Sequence, residues 1–247
     1  MATDLRVVGI DVAGRRPLTL AWLEGATGGF WPDTRDLVEI RVRVEEFQPE
    51  VVAIDAPCAL SRELHVDVRG GREVYRGREC DHELRIRNIQ LYQVPPQGSS
   101  RVGDWIKQGL ALHQMFIVLG YQHPRATGAL RSVLEVYPHG SFVTLLDGIP
   151  APKRSRLGRE QRVAVLEKHG VSVAGRTDHD ALDALAAALT GLNFCLGEAC
   201  CVGDPDEALI WLPVWVLRER YVKVPANETQ LMAGARNDPS GGVRAVS

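Results

Sequence analysis

The sequence predicts an α/β domain, a mixed sheet with helices packed against its faces. Three observations lead there. The compact apolar runs "LRVVGIDVAG" and "PEVVAIDAP" read as buried strands. "LTLAWLEG" alternates well enough to be the antiparallel partner of the first run, and "DHDALDALAAALTG", residues 178–191, reads as a helix that is apolar on more than one side.

In chain order, the first strand is rich in β-branched residues and is stopped by Gly14; after "RRP" the chain returns as its hairpin partner. Residues 34–50 fit two periods. Leu37, Ile40, Val44 and Phe47 suit a helix, whereas Val38, Ile40, Val42 and Val44 suit a strand, and a strand passing into a short helix is the expectation. The next strand ends at Asp55, Ala56 and Pro57, where the proline stops it. Residues 61–102 turn polar and arginine-rich and are expected to form a long loop with one short helix around 80–87; an excursion of this length in a compact domain is usually functional. A helix over 103–120 follows, then the strand "SVLEVYP" broken by Pro138, the short helix "GSFVTLLDG", and the basic segment "KRSRLGREQR" leading into a helix that runs to His169. Thr177 or Asp178 can cap the helix after that, with Gly191 and Asn193 at its end. "ALIWLPVWV" reads as one more strand, and the boundaries are a single domain over 1–225 and a mobile tail over 226–247.

A chain of 247 residues with 45% hydrophobic and 24% charged residues is ordinary for a globular protein with a sizeable core. The net charge of −2 excludes a whole-molecule positive field, so any polyanion contact must be local. No apolar stretch is long enough to cross a bilayer, and "MATDLRVVGID" lacks a signal-peptide pattern, so no membrane partner and a cytoplasmic location are expected. The five cysteines include Cys195, Cys200 and Cys201, which lack the paired spacing of a zinc site and read as structural thiols. A homodimer is compatible with the sequence.

The helix beginning near Asp178 carries the chemistry. At 3.6 residues per turn, Leu182, Leu185, Leu189 and Leu192 cluster on one side, while Asp180, Asp183, Ala184 and Ala187 share the other. No basic residue lies between Asp178 and Asn193, so this is not a solvated charged stripe, and the alanines suggest close approach to another element. Asp178 is explained as a cap. Asp11 and Asp55 lie within or at the end of apolar strands, where an unpaired charge is costly, and such strand ends line the ligand crevice of α/β sheets. Crowded carboxylates repel unless a cation is bound among them, so Asp11, Asp55, Asp180 and Asp183 are the expected ligands of Mg2+ or Mn2+. The alternative is that each bonds to turn amides or pairs with an arginine.

The order "GIDVAG", "AIDAP" and a late D-x-x-D helix is similar to the ribonuclease-H-like superfamily, and D-x-x-D-A-L resembles the helix of RuvC-type Holliday-junction resolvases. "GIDVAG", "AIDAPCAL", "RECD", "LEVYPHGSF" and the D-x-x-D helix together resemble the family called domain of unknown function 429, whose members are predicted to be ribonuclease-H-like nucleases. The resemblance spans roughly residues 5–215 and implies a mixed five-stranded sheet of order 3-2-1-4-5 flanked by helices, with a long insertion after the fourth strand. It further implies that Asp11, Asp55, Asp180 and Asp183 are catalytic acids binding two metal ions. Resolvases usually carry glutamate where Asp55 stands, a reach longer by one methylene.

Two metals about 4 Å apart would clamp a phosphodiester for in-line hydrolysis, so the expected function is that of a metal-dependent nuclease acting on nucleic acid. Glu135 is a candidate fifth ligand or base, or else an arginine partner. Arg78, Asp81 and His82 in "RECDHELR" are candidate substrate-binding residues at the mouth of the site, with Arg78 holding a phosphate through its planar fork; the alternative is a solvated helix face. Lys153, Arg154, Arg156, Arg159 and Arg162 form the clearest local positive excess and suit a nucleic-acid backbone or a solubilising surface. Tyr92 and Trp105 suit base stacking or loop anchoring. Two rival functions are an ATP-dependent phosphotransferase of the actin-like or sugar-kinase type and a non-catalytic nucleic-acid-binding protein. The first lacks a second glycine-rich phosphate loop, and the intact acid set argues against the second.

Overall fold

The structure, a computed structural model, describes residues 5–25, 27–62, 66–69, 72–75, 77–173 and 175–224, so the tail expected over 226–247 lies outside the described residues. The chain opens with three strands, β1 (Arg6–Asp11), β2 (Thr19–Glu24) and β3 (Thr27–Phe30), each antiparallel to the one before. Helix α1 (Leu37–Phe47) comes next, and the strand expected in this segment does not form. Asp36 caps the helix by accepting from the Val38 amide, and Ile40 and Val44 are buried while Val38 and Val42 are exposed, so the helical period wins. Thr34 contributes no more than an isolated bridge to Leu18.

Strand β4 (Val51–Asp55) lies parallel to β1. The following excursion is not simply a loop. It contains the hairpin β5 (Val66–Arg69) and β6 (Arg72–Tyr75), separate from the main sheet, and then α2 (Glu79–Ile86). Helix α3 (Asp104–Val118) leads to β7 (Ser132–Val136), and Pro138 then opens α4 (Pro138–Leu145) at the first helical turn, where its missing N–H costs nothing. Helices α5 (Arg156–Lys168) and α6 (His179–Cys195) precede the closing hairpin β8 (Cys200–Asp204) and β9 (Ala208–Leu212).

The main sheet has seven strands in the order β3-β2-β1-β4-β7-β9-β8, which corrects the expectation of five. The expected order holds from β3 to β7; β9 and β8 then extend the sheet beyond it, with β9 parallel to β7. Helix α6 does not end at Gly191 and Asn193 as expected. Gly191 stays helical because it packs on the sheet: a Cβ there would lie 2.6 Å from Val7 Cγ1. Leu182, Leu185 and Leu189 pack with Phe142, Val165 and Leu166, whereas Ala187 packs with Val7, Val51 and Ala53. The helix is thus held between the sheet and the layer of α4 and α5, which is why it is apolar on both sides. Each large apolar side chain buried in this way contributes about 1.5–3 kcal/mol.

Candidate metal centre

Two elements bring the acids together. Asp11 and Asp55 are register partners at the ends of the parallel strands β1 and β4, so both side chains leave the same face of the sheet one strand spacing apart. Helix α6 then lies directly on β1: a Cβ on Gly9 would fall 2.1 Å from the Ala184 carbonyl oxygen and 2.4 Å from the Ala188 nitrogen. Gly9 and the alanines allow this approach. With Ala184 above Gly9 and Gly191 above Val7, α6 runs antiparallel to β1 and delivers Asp183 to the end of the strand where Asp11 stands. One carboxylate oxygen from each of Asp11, Asp55 and Asp183 lies within 4.8 Å of the other two. Among the described residues no other group of three or more His, Cys, Asp or Glu side chains gathers in this way.

The electrostatics follow from burial and crowding. Burial, reinforced by the Asp183 and Asp180 carboxylates, raises the Asp11 pKa to about 8. Burial likewise pushes Asp55 well above its ordinary value, with Asp11 and Asp183 adding to the effect. Asp183 is raised by burial too, though Lys153 opposes the shift with its Nζ 3.2 Å from Asp183 Oδ2. Burial and the same carboxylates, Asp55 and Asp183, push the Tyr137 hydroxyl above the ordinary phenol range. Burial, with Arg162 and Lys153 nearby, lowers His139 to about 4, so it is neutral near pH 7. When all three are ionised, the carboxylates exceed the Lys153 ammonium by two negative charges, the charge of one divalent cation, and carboxylate oxygens are the donors that Mg2+ and Mn2+ prefer.

The fourth expected ligand stands apart. Asp180, one turn before Asp183, is held by the guanidinium of Arg16 in the β1–β2 turn and by His179 Nε2 at 3.1 Å, which reduces the gathered set from four acids to three. Glu135 is an arginine partner. Its oxygens accept from Arg78 Nη1 at 2.8 Å and Nη2 at 2.6 Å, and from the Cys58 amide at 2.8 Å. Burial alone would raise the Glu135 pKa, but Arg78 and that amide hold it below the ordinary value.

Arg78 is neither a phosphate fork nor part of a solvated face. It is 1% exposed, and its donors are engaged by Glu135, Asp81 and the Ala59 carbonyl. Asp81, fully buried, also accepts from the Arg78 and Val94 amides. His82 is half-buried on α2 and does not line the cavity beside Asp55. Asp178 caps α6 by accepting from the Ala181 amide at 3.1 Å and also pairs with Arg176.

Residues 9–208 match a family described as Protein of unknown function (DUF429). The chain belongs to this family. No curated protein and no solved structure matches the chain. No helix among the described residues is long and apolar enough to cross a membrane.

The DUF429 match includes the residue that sequence reasoning left out of the site, Lys153. It was grouped with the basic segment, yet the turn that carries it is tied down beside Asp183. The Ala151 amide donates to Gln161 Oε1 at 2.7 Å, Arg162 Nη1 donates to the Ala151 carbonyl at 3.1 Å, and Gly158 lets the turn lie close, since a Cβ there would sit 2.2 Å from the Pro152 carbonyl oxygen. No periodicity or motif marks this contact. The basic segment therefore divides: Arg162 is buried over the Phe142 ring, Arg156 pairs with Glu160, and Arg154 and Arg159 are exposed. Beside Asp55 lies a cavity of about 200 Å³, whose walls include Tyr92, Trp105 and Tyr137 and which also borders Arg78 and Glu135.

Proposed function

We propose that the protein is a divalent-metal-dependent phosphodiester hydrolase acting on nucleic acid, built on a ribonuclease-H-like sheet. The observation that carries this reading is the convergence of Asp11, Asp55 and Asp183, from the first strand, the fourth strand and the last long helix, at one point. The strand order from β3 to β7 supports the same assignment.

Asp11, Asp55 and Asp183 would hold Mg2+ or Mn2+. Such an ion, when bound, lowers the pKa of water and stabilises charge on a leaving oxygen. The chain supplies the rest. Arg78 and Glu135 fasten the loop after Asp55 through the Ala59 carbonyl and the Cys58 amide. Lys153 counters the charge of Asp183, and the exposed Arg154 and Arg159 on the same segment offer positive charge to a phosphate backbone. A second ion would need Asp180, which Arg16 holds, so the arrangement favours one well-formed metal position.

The test is cleavage of single-stranded, duplex and branched DNA and of RNA–DNA hybrids in Mg2+ and Mn2+, by the wild type and by Asp11→Asn and Asp183→Asn. Metal-dependent cleavage lost in both variants is expected. Cleavage undiminished in either variant, or unaffected by chelation, would refute the assignment.

A further inference from the structure

The cavity beside Asp55 differs in character from the carboxylate group it adjoins. Asp55 belongs to both, so the cavity opens directly beside the carboxylate group. Its walls are largely apolar and include three aromatic rings. The Tyr92 and Trp105 rings meet edge to face with centroids 5.6 Å apart, and Tyr137 stands nearby with its hydroxyl engaged by the Gln90 carbonyl. Trp105 is fixed relative to the end of β1, because a Cβ on Gly14 would lie 3.0 Å from the Trp105 nitrogen.

Of the charged residues bordering the cavity, Arg78 pairs with both Glu135 and Asp81, and Asp55 adds a further carboxylate. The cavity therefore offers nothing to an anion. A neutral, planar ring suits it, and about 200 Å³ is room for one such ring.

We propose that this cavity receives one unpaired nucleobase, so that the substrate of the hydrolase is single-stranded or locally unpaired nucleic acid. The proposal rests on the hydrolase reading for the phosphate placed beside Asp55. A base inside a continuous duplex would have to leave its stack to enter, at the cost of unstacking and unpairing, whereas an unpaired base enters freely and gains contact with the rings.

The experiment compares three Mn2+-containing reactions of the full chain: a single strand carrying 2-aminopurine, the same strand fully paired, and a single strand with an abasic site in place of the fluorescent base. Binding is read from 2-aminopurine fluorescence and from anisotropy of an end label, and turnover from cleavage. The single strand should be bound about tenfold or more tightly than the abasic strand, the range that one base–aromatic contact gives, and preferred to the duplex. Trp105→Ala should erase that preference. Tyr92→Ala, at a half-exposed position of the cavity wall, should reduce it in the same direction and serves as the second variant if Trp105→Ala unfolds at a lower temperature. Equal handling of base-bearing and abasic strands, or of single and paired strands, would overturn the assignment of the cavity while leaving the hydrolase reading intact. Base-dependent binding lost in Trp105→Ala, without cleavage of any strand, would support the cavity assignment and overturn the hydrolase reading.

Discussion

Asp55→Asn is the most informative single change, because it removes a charge while keeping shape and hydrogen-bonding capacity. Carboxylate oxygens within 4.8 Å of one another repel by about 3.5 kcal/mol per pair at an effective dielectric of about 20. Near neutral pH the metal-free protein relieves much of this by holding a proton, since the Asp11 pKa is raised to about 8. As pH rises past about 8 that proton leaves Asp11 and the repulsion within the group grows. Allowing for relaxation, removal of one charge in EDTA at about pH 9 should stabilise the protein by roughly 2 kcal/mol, a rise in Tm of about 4–8 °C for a domain of this size. Thermal unfolding followed by circular dichroism reads the shift. In Mn2+ the order should reverse, because the wild type gains binding energy that the variant has lost. A variant less stable than the wild type in EDTA near pH 9, or one that keeps the full Mn2+-induced rise, would refute the reasoning.

Other expected outcomes follow from the same geometry. Between pH 3.8 and about 8 the native metal-free state binds the Asp11 proton more tightly than the unfolded chain. Stability in EDTA should therefore be greatest at the acid side of that window and fall as pH rises through it, at up to about 1.4 kcal/mol per pH unit for each proton, and Mn2+ should flatten the dependence in a Tm-versus-pH series. Lys153→Met removes the ammonium that stands 3.2 Å from Asp183 Oδ2, so calorimetric titration should show Mn2+ bound several-fold more tightly; weaker binding would mean that Lys153 supports the site rather than competes for it. Glu135→Gln leaves the fully buried Arg78 short of one charge partner and should cost about 3 kcal/mol in urea denaturation, whereas a cost under about 1 kcal/mol would show the network to be dispensable. Gly9→Ala places a methyl 2.1 Å from the Ala184 carbonyl oxygen and must displace α6. A loss of roughly 1–3 kcal/mol is expected, together with weaker Mn2+ binding because Asp183 moves with the helix.

The aspartates on strands were legible because a charge in an apolar run is costly and must be explained, and the alanines of α6 correctly signalled close approach to another element. Helical period alone, however, put Asp180 on the same side as Asp183. It does not say that α6 at that point still lies beyond the end of β1, within reach of Arg16. The same blindness to tertiary partners hid Lys153, and it left Glu135 undecided between metal and arginine until Arg78 was seen to come from a distant insertion. Strand β8 went unseen because "CCVGD" is short and carries glycine and cysteine rather than alternating apolar residues; its pairing with β9 makes it a strand. The fold of residues 34–50 was ambiguous for a different reason, since β-branched residues satisfied both periods, and capping by Asp36 together with exposure of Val38 decided for the helix.

The account stands on a divalent ion shared by three acids, and anomalous diffraction from crystals soaked in Mn2+ tests this most directly. The predicted result is a manganese peak bonded at about 2.1 Å to one oxygen from each of Asp11, Asp55 and Asp183, with Lys153 turned away. Crystals showing no manganese among these acids, with the Lys153 ammonium still against Asp183, would contradict it.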